Sequence, residues 1–313
     1  MKIFMIVLAV TSAVILLILL ISYICFYMAF YVPQKKTSHE EYPIPPGKIY
    51  EPFRETFIEW LKELRSLPYE KVSIKSFDGL TLCGKFYEYE PGAPIELMFH
   101  GYRGNAERDL CGGVQRCFAL KHSALIVDQR TSGDSEGHVI TFGIKEHRDC
   151  LDWIKFTISH YGEDVKIILT GISMGASTVL ITSGSDLPSN VIGILADCGF
   201  TSAKEIIKKV IRQIHLPANL LYPFVKLGAR LYGGFDLEER SAIKEVAKCK
   251  IPVIFFHGED DNFVPCYMSH KNFDACSGIK HIFTVPSAGH GLAYPVSPDA
   301  YLRELDHFFT PFL

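Results

Sequence analysis

The sequence predicts an α/β domain of about eight mostly parallel strands, with flanking helices and a helical cap insertion. Two observations carry that prediction. Short apolar runs at 95–99, 124–127, 165–169, 191–196, 251–256 and 281–285 alternate with stretches of helical period such as 107–121 and 145–161. Repeated β-α units of this kind build a parallel sheet covered on both faces. Before them, alternating segments at 72–77 and 80–89 flank Asp78-Gly79, which reads as an antiparallel hairpin. Hydrophobic residues make up 48% of the 313-residue chain, enough for one large core.

The N-terminal 32 residues stand apart. Residues 3–32 carry no charge and exceed the ~20 apolar residues that a bilayer-crossing helix needs. Tyr23, Tyr27 and Tyr31 suit an aromatic belt, and Pro33 ends the run. A cleaved signal peptide would have a shorter apolar region and a small-residue cleavage site, and neither is present. A retained single-pass anchor over 1–32 is therefore expected. Lys35, Lys36 and Lys48 favour a cytoplasmic domain weakly, while Lys2 argues the reverse, so the side is left undetermined.

A Pro-rich linker is expected over 33–52, with Pro43, Pro45, Pro46 and Pro52, followed by the main domain over 53–313. Phe53, Phe57, Trp60, Leu61 and Leu64 mark an amphipathic helix, read as packing on the domain edge. The stretch 201–250 is too long for a plain crossover and is helical in pieces, broken at Pro217, Pro223 and Gly233-Gly234. Such an insertion sits over the carboxyl ends of the strands as a cap. Leu216, Leu220, Leu221, Tyr222, Phe224 and Tyr232 either line an acyl pocket there or pack the cap onto the core.

The net charge of −3 gives no basic field for nucleic acid. None of the nine cysteines forms a CxxC or Cys/His metal spacing, and no dinucleotide fingerprint occurs, so neither a metal nor a cofactor is expected. The cysteines show no disulfide framework, which favours a reducing side of the membrane or an anaerobic source.

Gly171-Ile172-Ser173-Met174-Gly175 joins a strand to a helix with a serine at the apex. Ordinary Gly/Ser-rich turns share this pattern, so its meaning depends on partners elsewhere. A serine hydroxyl becomes a useful nucleophile only when a base takes its proton. His290, in Ser-Ala-Gly-His-Gly after the last strand, falls at the same sheet edge. An imidazole base needs an acceptor to hold its tautomer. The loop after the preceding strand supplies Asp260 and Asp261, and Asp197 is a third candidate. Two N–H donors are needed for the oxyanion. Met174 offers one, and Tyr102, in His100-Gly101-Tyr102-Arg103-Gly104-Asn105, is assigned the other.

These motifs resemble the α/β-hydrolase family over roughly residues 70–313, and most resemble small membrane-anchored or cytosolic serine hydrolases. The family shares H-G-x-x-G-N, D-x-R-x-x-G-x-S-x-G, G-x-S-x-G, H-G-x-x-D-x-x-V-P and a final G-H. Here these stand at 100–105, 128–137, 171–175, 257–265 and 289–290. The resemblance implies Asp261 as the acid, with His100 and His257 structural. One departure is Thr131-Ser132 after Arg130, where relatives often have glycine directly after the arginine. Arg103 is read as an anchor for backbone carbonyls, and Lys204, Lys208 and Lys209 as a solvated face.

The expected activity is serine hydrolysis of a carboxylic ester or thioester, on a small-molecule or lipid-like substrate, by Ser173, Asp261 and His290. The same residues would serve a peptidase or amidase. A non-catalytic membrane-tethered binding protein on this fold is the third reading.

Overall fold

The computed structural model describes residues 1–33 and 41–313. Lys35, Lys36 and part of the expected linker lie outside the described residues. Eight strands form one sheet: β1 (Glu70–Lys75), β2 (Thr81–Tyr87), β3 (Ile95–Phe99), β4 (Ser123–Val127), β5 (Ile167–Ile172), β6 (Val191–Asp197), β7 (Val253–Gly258) and β8 (Lys280–Val285). Their order is β1-β2-β4-β3-β5-β6-β7-β8. β1 pairs antiparallel with β2, and β2 with β4, while every later pair is parallel. The Asp78-Gly79 hairpin turns on Gly79 at φ +89°, a conformation glycine adopts without steric cost.

The helices are α1 (Lys2–Ala29), α2 (Arg54–Ser66), α3 (Ala106–Ala119), α4 (Glu146–Tyr161), α5 (Met174–Thr182), α6 (Ala203–Gln213), α7 (Ala218–Tyr232), α8 (Ala242–Val246), α9 (Tyr267–Ala275), α10 (Ala293–Val296) and α11 (Pro298–Phe309). β3 and β5 are apolar along their length because both faces are covered, apart from Glu96 and Thr170. One face packs Trp153 and Ile154 of α4, Val179 and Leu180 of α5, and Val246 of α8. The other packs Phe57, Leu61 and Leu64 of α2, Leu110 and Val114 of α3, and Tyr301 and Leu305 of α11. The edge position expected for α2 is observed. Its Trp60 lies against α3 so closely that a Cβ on Gly112 would meet the indole at 2.5 Å. In the 33–52 stretch, Tyr42, Ile44 and Tyr50 rest on this same core layer.

A third cluster holds the cap helices α6 and α7, Phe142, Phe200 and the end of α1, with Phe26 and Phe30 buried. Among the described residues α1 is the one helix long and apolar enough to cross a membrane, a property it shares with signal sequences. Pro223 was expected to break the cap but sits inside α7. Its missing N–H would have bonded the carbonyl of Asn219, an exposed residue near the start of the helix, where the loss costs less than in a buried turn. β5 continues past Leu169 to Ile172, because the ladder to β6 runs as far as Asp197.

One charge lies in the middle of this apolar sheet. The buried Glu96 carboxylate accepts hydrogen bonds from Arg116 Nη2, from His122 Nδ1 at 3.0 Å and from Thr170 Oγ1 at 2.8 Å. Burial alone would raise its pKa, but the Arg116 and His122 charges hold it at about 2. A carboxyl depressed on folding contributes stability that is full above its unfolded pKa of 4.5 and fades as pH falls toward 2. Urea titrations of the wild type should therefore show midpoints declining between these values. Glu96→Gln leaves Arg116 buried without its counter-charge. It should lose about 3–5 kcal/mol at neutral pH and show a flatter acid decline.

Candidate active site

The site forms at the carboxyl edge of the parallel strands, where β3, β5, β7 and β8 deliver one loop each. Ser173 follows β5 and is the residue before α5, with φ +57° and ψ −115°. Non-glycine residues rarely occupy this region, which costs on the order of 1–3 kcal/mol. The surrounding backbone compels it. Ser173 N–H donates to Asp197 O at 2.8 Å, and Ser177 N–H donates to Ser173 O at 3.1 Å. Both motif glycines are packed against backbone. A Cβ on Gly171 would lie 2.3 Å from the Gly175 carbonyl, and one on Gly175 would lie 2.0 Å from Phe99 O. The helix thus starts hard against the end of β3, and the serine is forced to the crest of the turn.

His290 Nε2 lies 2.9 Å from Ser173 Oγ, and His290 Nδ1 lies 2.6 Å from Asp261 Oδ2. The Asp261 side chain is fully buried. Its Oδ1 accepts the Phe263 and Val264 amides, both at 2.8 Å, and its Oδ2 also lies 3.2 Å from His257 Nε2. Burial opposes ionisation, but the hydrogen bonds and charges of His257 and His290 outweigh it and hold the carboxyl far below the usual carboxylate range. Asp260 makes no hydrogen bond to His290, and its N–H donates to Ala288 O. Asp197 accepts from Tyr301 Oη at 2.9 Å and makes no hydrogen bond to His290. Burial pushes its carboxyl pKa up. Cys198 Sγ lies within 4.8 Å of donor atoms of Asp261 and His290. Burial raises its thiol well above the ordinary value, so it is neutral packing rather than a thiolate.

The loop after β3 wraps a carboxylate. Gly101 N–H donates to Asp109 Oδ2 at 3.2 Å, and a Cβ on Gly104 would collide with that oxygen at 1.8 Å. Asn105 caps α3 by accepting from Arg108 N–H. A Cβ on Gly101 would stand 3.5 Å from Ser173 Cβ, which sets this loop beside the serine. Tyr102 follows, and its N–H has no acceptor among the described residues. Met174 N–H opens α5 and has no intrahelical partner. His100 and His257 are held by structural bonds, His100 to Gln129 N–H and His257 between Ser269 Oγ and Val264 O. Arg130 grips Asp149 through two 2.7 Å bonds and also reaches Asp78.

A cavity of about 300 Å³ opens at Ser173 and is almost wholly apolar. Of the cap residues singled out in the sequence, Leu216 and Leu221 line it, whereas Tyr222 is buried and bonded to Glu238. Ile206, Ile207, Val210 and Ile211 of α6 supply half of the cap residues in its wall. Their i, i+1, i+4, i+5 spacing was the overlooked signal. Lys209 is also more than a solvated side chain. Its Nζ donates to the Asn262 and Phe263 carbonyls, tying the cap to the Asp261 loop. Tyr50 Oη donates to His290 O at 3.0 Å and steadies the histidine loop, a role nothing local in the sequence marked.

No family model matches the chain. It is 27% identical over 193 residues to the uncharacterized protein YqkD of Bacillus subtilis, a match covering 60% of this chain and 62% of YqkD, less than two thirds of that relative's length. It is 25% identical over 233 residues to protein bem46 of Schizosaccharomyces pombe, covering 72% of each. The Pyrococcus furiosus esterase Pf2001 superposes with a TM-score of 0.65 at 22% identity, covering 86% of this chain and 97% of the esterase. The chain has the α/β-hydrolase fold, with the eight-stranded, mostly parallel sheet and flanking helices that the sequence led one to expect.

Gly175→Ala tests the elbow. The added methyl must displace β3 or α5, so the variant should be about 1–3 kcal/mol less stable in urea. Reaction of Ser173 with a fluorophosphonate should slow at least tenfold.

Proposed function

We propose that the protein is a serine hydrolase of carboxylic esters or thioesters. The observation that carries this reading is the continuous hydrogen-bonded series from Ser173 Oγ through His290 to the buried, ionised Asp261, at the mouth of an apolar cavity. Ser173 Oγ attacks the substrate carbonyl carbon as His290 Nε2 takes the hydroxyl proton. Asp261 holds the imidazole with Nδ1–H donating and stabilises the imidazolium. The carbonyl electron pair moves onto oxygen, and the Met174 and Tyr102 amides receive that oxyanion. Collapse breaks the bond to the alkoxy or thiol leaving group, which takes the proton from His290. Water then adds to the acyl-enzyme by the same route, releasing the acid and restoring the serine.

The apolar walls favour a hydrocarbon acyl group over a peptide, whose backbone amides would lose their hydrogen bonds on entry. In the same reading residues 1–32 serve as a single-pass membrane anchor and 33–52 as the link to the hydrolase domain. The side of the membrane is set by protease protection of intact cells or vesicles.

Ser173→Ala should abolish both fluorophosphonate labelling and hydrolysis of p-nitrophenyl esters. A variant that still labels overturns the assignment of the nucleophile. Asp261→Asn should lower kcat about ten-thousand-fold by fixing the wrong tautomer. Asp260→Asn should stay within a few-fold of wild type. Cleavage of peptide amides at rates rivalling esters would instead favour the peptidase reading.

A further inference from the structure

The cavity at Ser173 is not closed by the domain alone. Cys25, Met28 and Ala29 of α1 line it opposite Ile207, Ile211 and Val225 of the cap. We propose that the last turns of α1 form one wall of the acyl-binding site. The substrate class is then a bilayer-resident ester with an acyl chain of about ten carbons. This deepens the hydrolase reading above and rests on it.

Three observations support the wall. First, α1 is fixed in place rather than hung from a tether. A Cβ on Gly228 of α7 would lie 2.3 Å from Ser22 O, so the two helices touch backbone to backbone. Tyr232 Oη donates to Leu19 O at 3.2 Å, and beyond the helix Ile140 N–H donates to Phe30 O at 2.9 Å. Second, the same end of α1 is bonded to the loop that carries the proposed oxyanion donor. Tyr102 Oη donates to Ala29 O at 2.8 Å, and Arg103 Nη2 donates to Met28 O and Tyr31 O at 3.0 and 3.1 Å. These bonds satisfy carbonyls that a helix end leaves open.

Third, the lengths match a bilayer surface at this level. Lys2 to Ile18 are exposed throughout and span about 26 Å at ~1.5 Å per residue. A hydrocarbon core of ~30 Å needs about twenty residues, which brings its boundary to about Ile21. Tyr232, 39% exposed, bonds Leu19 near that boundary, and Leu231 before it in the chain is 51% exposed. Cys25 and Ala29 then stand about 6 and 12 Å above it along the helix. The cavity therefore begins at headgroup depth, where the ester of a lipid lies. At roughly 30 Å³ per chain carbon, about the volume of one liquid water, its 300 Å³ holds on the order of ten carbons.

The test uses the full-length protein in phosphatidylcholine vesicles with p-nitrophenyl decanoate and p-nitrophenyl butyrate. Wild type should favour decanoate at least tenfold in kcat/KM. Equal or lower efficiency on decanoate overturns the chain-length class. Ala29→Trp fills the α1 side of the cavity and should lower the decanoate-to-butyrate ratio at least tenfold, the effect of expelling about two methylenes. Ala29→Leu should lower it by less, and decides the matter if the tryptophan variant does not label at Ser173. Leu16→Trp, on the exposed part of α1, should leave the ratio at the wild-type value. An unchanged ratio in labelled Ala29 variants overturns the wall while leaving the serine chemistry standing. A wild-type protein that neither labels nor cleaves either ester overturns both.

Discussion

The close approach of α5 to the end of β3 is the constraint on which the site depends. Gly175 lies so near Phe99 O that no side chain fits between them, and Gly171 is equally tight against Gly175. With helix and strand clamped together, the one residue between β5 and α5 has little conformational choice. Ser173 takes a left-handed φ, and the strain is offset by the ladder on either side of it: its own N–H on Asp197, its carbonyl on Ser177. The same clamp leaves the first amide of α5 free and sets the β3 loop, through Gly101, against the serine. The position of Ser173 and the freedom of the amide beside it are therefore two consequences of one packing event.

A second constraint fixes the partners. Asp261 is a buried charge, and a buried charge persists only where donors replace its water. Two backbone amides on Oδ1 and two histidine nitrogens near Oδ2 supply that shell. Hydrogen bonds to charged groups contribute about 1.5–3 kcal/mol each, so the shell outweighs desolvation, and the depressed pKa is its thermodynamic signature. The loop holding these donors is braced from outside by Lys209 of the cap, and the His290 loop is braced by Tyr50. Positioning residues thus come from segments far from the motifs in sequence. Their effect is to keep these two loops in register with the serine.

The sheet was legible because buried parallel strands need continuous apolar runs and the crossovers need helical periods, both local patterns. The elbow, the histidine and the wrapped β3 loop were legible because each requires glycines at fixed offsets. The choice between Asp260 and Asp261 was not legible from composition, since neighbours differ only in which way the chain turns; the family pattern favoured Asp261, and in the fold that residue faces His290. Pro223 misled because a proline's cost in a helix depends on where the orphaned carbonyl lies, and Asn219 is an exposed residue near the helix start. Lys209, Tyr50 and the cavity wall from α1 were invisible because they act across tens to hundreds of residues, where no periodicity records the contact.

That last class of contact bears on what α1 does here. An anchor that merely tethers needs apolar residues all round and nothing else. The free part of α1 fits that description, but its final turns do not. There a buried serine faces a glycine of α7, Phe26 and Phe30 enter the cap cluster, and three carbonyls are taken by Tyr102 and Arg103. A rigid-body shift of α1 relative to the domain must break these bonds and move the loop that holds the Tyr102 amide. The seating of the helix and the geometry at Ser173 are therefore mechanically joined. Any force on α1 has a direct path through Tyr102 and Arg103 to the loop beside the serine.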